Sequence, residues 1–119
     1  MSADRELLEL AAKAAGLDGE TLFTEPSGFP YIATASGVWS PLNNDGDALR
    51  LAVKLGISIT PYPIYNSEER HSVIAKQRRR SDTLREANPT EVLELYGDDP
   101  AAAWRRAIVR CAAEIGRAM

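Results

Sequence analysis

Apolar residues Leu7, Leu8, Ala11, Ala12 and Ala15 recur three and four places apart between Asp4 and Gly16. That spacing predicts an amphipathic helix capped by Asp4 and stopped by a left-handed glycine. Residues 19–30, with their prolines, glycines and Ser27, read as loop. "YIATASGVWS" (31–40) then alternates on either side of Ser36-Gly37, the pattern of a hairpin with Trp39 in the core.

In "SPLNNDGDALRLAVKLG" (40–56), Asn44 or Asp45 is placed to cap a helix that Gly56 ends. Ala48, Leu49, Leu51, Ala52, Val53 and Leu55 leave only Arg50 and Lys54 as a narrow polar stripe. A helix apolar nearly all round is expected to be buried on more than one side. "GISITPYPIY" (56–65) reads as a strand that Pro61 and Pro63 push to a sheet edge, and "HSVIAKQ" (71–77) as its partner. "NPTEVLELYG" (88–97) carries Asn88 as cap, Pro89 at the first helical position, Glu91 for a capping box and Gly97 as stop. It is read as a short helix, with a strand over Val92–Tyr96 as the competitor. Asp99 and Pro100 start a last helix whose apolar stripe is Trp104, Ile108, Cys111 and Ile115.

The predicted order is αββαββαα, an α+β fold with helices layered on a small, mainly antiparallel sheet of about four strands. At 119 residues, residues 1–119 form a single compact domain on this reading.

Composition narrows the class. Hydrophobic residues make up 45% and charged residues 26%, an ordinary globular balance. The single cysteine, Cys111, excludes an intrachain disulfide, and the acidic residues near the start are unlike a secretory leader. No stretch reaches the roughly 20 apolar residues of a membrane helix. A cytoplasmic protein without a membrane partner is expected.

Candidate chemistry is sparse. With Gly46 aligned to the glycine of a calcium loop, Pro41 and Ala52 fall where the two strongest ligands belong, so the Asn43–Asp47 cluster reads as helix punctuation. Tyr96-Gly97-Asp98-Asp99 matches a string of viral RNA polymerases, but a two-metal site needs further carboxylates that nothing indicates. His71 is the only histidine, and Cys111 lies on an apolar stripe. Glycine-rich phosphate loops are missing. The expectation is a non-enzymatic chain with no catalytic, metal or cofactor-binding residue.

Charge adds one feature. Residues 1–69 hold 4 basic against 10 acidic side chains, and residues 70–119 hold 10 against 7. Arg70, Lys76, Arg78, Arg79, Arg80 and Arg85 cluster in sequence, and Arg105, Arg106 and Arg110 form a helical row that extends the patch if it shares that face. Such a patch neutralises phosphates or meets an acidic protein. Arg78, Arg79, Arg80, Tyr62 and Tyr65 are the expected contact residues, since arginines and proline-framed aromatics suit interface hot spots.

"WSPLNNDGDALRLAVKLGI" (39–57) and "AWRRAIVRCAAEIG" (103–116) resemble segments of small proteins encoded in phages and prophages, among them the phage ABA (alpha-beta-alpha) sandwich domain. The resemblance covers about two-thirds of the chain, and residues 19–30 and 78–88 carry none of it. It implies a sandwich fold and a viral origin, and it brings no catalytic residue. The function expected on this basis is that of an accessory protein binding a host protein, for example as inhibitor of a host defence system. A nucleic-acid module built on Arg78–Arg80 is the alternative.

Overall fold

The computed structural model describes residues 3–17, 19–23, 30–34, 37–63, 71–77, 90–95 and 99–119. Among these residues three helices, α1 (Ala3–Ala15), α2 (Asp45–Leu55) and α3 (Pro100–Arg117), accompany six strands. These are β1 (Glu20–Phe23), β2 (Pro30–Thr34), β3 (Gly37–Trp39), β4 (Ile57–Pro63), β5 (His71–Gln77) and β6 (Thr90–Leu95). All strand pairs are antiparallel, in two sheets of order β1-β2-β3 and β4-β5-β6. The chain is therefore α+β, with helices packed on antiparallel sheets.

The strand inventory departs from expectation in two places. Residues 20–23, read as loop, form β1 and pair with β2 from Glu20↔Ala33 to Phe23↔Pro30. Four residues are too short a run to show periodicity, and only the neighbouring strand makes them a strand. "TEVLEL", read as a helix with a strand over Val92–Tyr96 as the competitor, is β6. Its alternation puts Val92 in the core opposite Ala75, and β5 needs a second partner for its outer row of backbone groups. Among the described residues the order is αβββαβββα, not αββαββαα, and six strands replace about four.

Packing runs from the first sheet through α1 to α3 and on to the second sheet, with α2 lying against α3 and β4. Leu8, Ala12 and Ile32 join α1 to the first sheet. The larger core gathers Ala11, Leu51, Ala52, Val73, Val92, Ile108, Val109 and Cys111. Trp39 is half-buried and touches both cores. On the second sheet, Val73, Ala75 and Val92 face this core, while Leu93 and Leu95 on the other face are 46% and 45% exposed. As its prolines require, β4 is an edge strand. Gln77 closes the assembly by donating from Nε2 to the Leu55 carbonyl at 2.7 Å.

Candidate functional site

Two helix starts are built side by side, and between them lies a groove. At the head of α2, Asn44 is extended (φ −126°, ψ 120°) and its side chain accepts the Asp47 backbone N–H at 2.8 Å. Asp47 in turn accepts the Ser40 N–H at 2.8 Å, and the Asn44 N–H donates to the Ser40 carbonyl at 2.8 Å, so the turn before the helix is tied to its first turn. Gly56 ends the helix at φ +70°, where a side chain would be strained. At the head of α3, Asp99 accepts from the Ala101 and Ala102 amides at 3.1 and 3.4 Å, and Pro100 occupies the first turn.

Arg105 ties the two starts together. Its Nε donates to the Leu42 carbonyl at 3.0 Å, one terminal nitrogen reaches Asp45 at 2.7 Å, and the other lies 3.9 Å from Asp99. The arginine side chain is only 15% exposed, although Asp45 is 78% exposed. A planar fork of donors spans these three segments as an ammonium would not.

Beyond this clasp the space between α2, α3 and β4 is a groove of about 560 Å³. Ala48, Leu49, Ala52 and Val53 line one side, Pro100, Ala101, Trp104 and Ile108 the other, and Ile57 and Ile59 of β4 border it. Leu49 and Val53 stand 63% and 74% exposed. The enclosure expected for α2 is thus overturned: the helix is open to water on one flank. Its apolar residues encircle it because Ala48, Leu51 and Ala52 fill the core while Leu49 and Val53 form the lip of the groove.

The groove carries no reactive constellation. Among the described residues no cluster of histidine, cysteine or acidic side chains is placed to hold a metal ion. Burial pushes the Cys111 thiol up to about 11, the nearby Glu114 charge acts in the same direction, and a hydrogen bond with the Gln77 backbone opposes both. A raised thiol pKa keeps the group protonated and inert. A thiol reagent at neutral pH is expected to label Cys111 only at the rate of unfolding, and labelling of the native chain within seconds would contradict this. Because the folded thiol holds its proton more tightly, stability is insensitive to this group below its ordinary pKa and falls as pH rises from there to about 11. Chemical denaturation across that range, compared with Cys111→Ala, measures the effect.

The helical row of arginines is not an open cationic face. Arg106 lies 2.9 Å from Asp4 and 3.9 Å from Glu94, Arg110 reaches Glu94 at 2.5 Å and donates to the Leu93 carbonyl at 3.1 Å, and Arg105 is held as described. Arg117 lies 3.7 Å from Glu6 and from Glu114. Three separate acidic neighbourhoods divide the row.

Arg78, Arg79, Arg80 and Tyr65 lie outside the described residues, as do Arg70 and Arg85. Of Tyr62, the backbone is placed in β4 opposite Ser72, and the side chain lies outside the described residues. Asp99 of the Tyr-Gly-Asp-Asp string is a helix cap. The groove itself was not anticipated. Its signal was the surplus of Leu49 and Val53 on a helix that one core face could not absorb. No protein-family model, curated protein or solved structure matches this chain. No described helix is long and apolar enough to cross a membrane.

Proposed function

We propose that this chain is a non-enzymatic binding protein that holds another protein through the groove between α2 and α3. The observation that carries the reading is a broad apolar groove with Leu49 and Val53 exposed at its lip. Apolar surface of this kind, edged by charged residues, is the usual mark of a contact site. A trough between two helices suits an apolar helix face presenting side chains at every third or fourth position. The lining of Trp104, Ile108, Ile57 and Ile59 supplies the aromatic and aliphatic anchors that dominate such contacts.

The role of a phage-encoded accessory protein acting on a host protein in the bacterial cytoplasm, with inhibition of a defence system as its outcome, rests on the resemblance of residues 39–57 and 103–116. The acids against Arg105, Arg106 and Arg110 leave the nucleic-acid alternative resting on Arg78, Arg79 and Arg80 alone, since a paired arginine releases few counterions from phosphate.

Affinity capture from a bacterial host lysate, followed by titration of the purified captured protein, tests the proposal. Wild type is expected to bind it, and Leu49→Asp/Val53→Asp to lose at least about 100-fold in affinity, since two contact residues at about 1.5–2 kcal/mol each reach that factor. Arg78→Ala/Arg79→Ala/Arg80→Ala is the comparison. Loss with the arginine variant alone, or steep salt-sensitive retention of arbitrary DNA by wild type, would move the site to the basic segment.

A further inference from the structure

The second sheet has an edge at β4 and another at β6, and the two are closed by different means. Ser58 donates from its hydroxyl to the Lys76 carbonyl at 3.3 Å, so Lys76 turns its backbone groups toward β4. That direction alternates along a strand, so Val73, Ala75 and Gln77 turn theirs toward β6 and pair there with Glu94, Val92 and Thr90. Pro61 and Pro63 stand opposite Val73 and His71, at positions whose backbone groups face away from β5. The ladder therefore loses no donor, while the outer edge of β4 lacks two.

No proline protects β6. Glu91, Leu93 and Leu95 stand opposite Lys76, Ile74 and Ser72, and by the same alternation they turn their N–H and C=O groups to the outer edge. Leu93 and Leu95 also leave about half of their surface in water on the sheet's outer face. An edge of this kind is a template for a further strand. Its middle acceptor is already taken. Arg110 reaches over from α3 and donates to the Leu93 carbonyl at 3.1 Å, and Glu94 holds the same guanidinium at 2.5 Å. The arginine side chain is 40% exposed, so it stands where an incoming strand must bring its own N–H.

We propose that Arg110 guards the β6 edge and keeps two copies of this chain from pairing there. Without the guard, β6 meets its counterpart antiparallel about a two-fold axis at Leu93, with Glu91 of each copy opposite Leu95 of the other. The product is a sheet of six strands, three from each copy, and the prolines of β4 stop its growth at both ends. No residue lining the groove between α2 and α3 takes part, so the device stands or falls apart from the binding function.

Sedimentation equilibrium of the full chain over about 1–200 µM tests this. Wild type is expected to stay at the 13.0 kDa of one chain, and Arg110→Met, which keeps the aliphatic stem, to reach twice that mass. Pairing of the variant no longer breaks two charged hydrogen bonds, a gain of at least about 100-fold in association. Leu95→Pro removes an outward N–H and leaves the β5–β6 ladder whole, so Arg110→Met/Leu95→Pro is expected to return to 13.0 kDa. Circular dichroism confirms that each variant is folded, and Arg110→Ala replaces Arg110→Met if the latter is not. A folded Arg110 variant that remains at 13.0 kDa overturns the proposal. So does a dimer that survives Leu95→Pro, which would place the contact elsewhere, or a wild type that pairs as readily as the variant.

Discussion

Replacing Gly116 by alanine is expected to lower the stability of the fold by about 1–3 kcal/mol. A methyl at this position would collide with the Leu10 carbonyl oxygen of α1, lie 2.9 Å from the Leu10 carbonyl carbon and 3.4 Å from the Ala14 nitrogen. These are backbone atoms of a facing helix, so no side chain can swing aside. Gly116 is buried, and the two helices carry core residues on both sides of their contact, Leu8 and Ala12 toward the first sheet and Ala11 and Ala15 toward the larger core. Alanine is intrinsically the better helix former by about 1 kcal/mol, and that gain offsets only part of the cost of forcing α1 and α3 apart. Thermal unfolding should show a fall of roughly 5–10 °C. Gly46→Ala is the control. There a methyl meets only the Asn44 side chain at 3.2 Å and the tip of Arg50 at 3.4 Å, so a neutral or slightly stabilising result is expected. Equal losses at the two glycines would mean that the close approach of α1 and α3 is not what requires Gly116.

Arg105→Ala is expected to cost about 2 kcal/mol and to loosen the groove at its polar end. The magnitude follows from which of its contacts is sheltered. Asp45 and Asp99 are largely exposed, so those ion pairs are screened and contribute at most about 1 kcal/mol together. Leu42 is buried, and its carbonyl accepts a charged donor that water would replace poorly. Asp45→Ala should therefore cost clearly less than Arg105→Ala in urea denaturation, and Arg105→Lys should recover little, since one ammonium cannot serve Leu42 and Asp45 in the same geometry. If Asp45→Ala proves as damaging as Arg105→Ala, the exposed pair and not the Leu42 carbonyl holds the two helix starts together.

Both positions show where residues stop being legible one at a time. On α3, Arg105, Arg106 and Arg110 look alike in spacing and suggest one basic face. Asp45, Asp4 and Glu94 arrive from three remote segments and neutralise them in place. Gly116 looks like an ordinary weak spot near a helix end until Leu10 is set against it.

The chain order alone determined what is decided within a few residues. Asn44, one of the two cap candidates, and Asp99 as caps, Pro100 in the first turn of α3, Gly56 as a left-handed stop, two short antiparallel strands within residues 30–39 and the strand over 71–77 all follow from local backbone preferences, and all are present. Tertiary structure decided the rest, because the competing local options differ by less than the energy of packing. Residues 20–23 and 90–95 became strands only when β2 and β5 supplied partners. The apolar surplus of α2, which reads equally as a buried helix, became the lip of a groove because α3 and β4 cover only one of its sides, leaving Leu49 and Val53 to water.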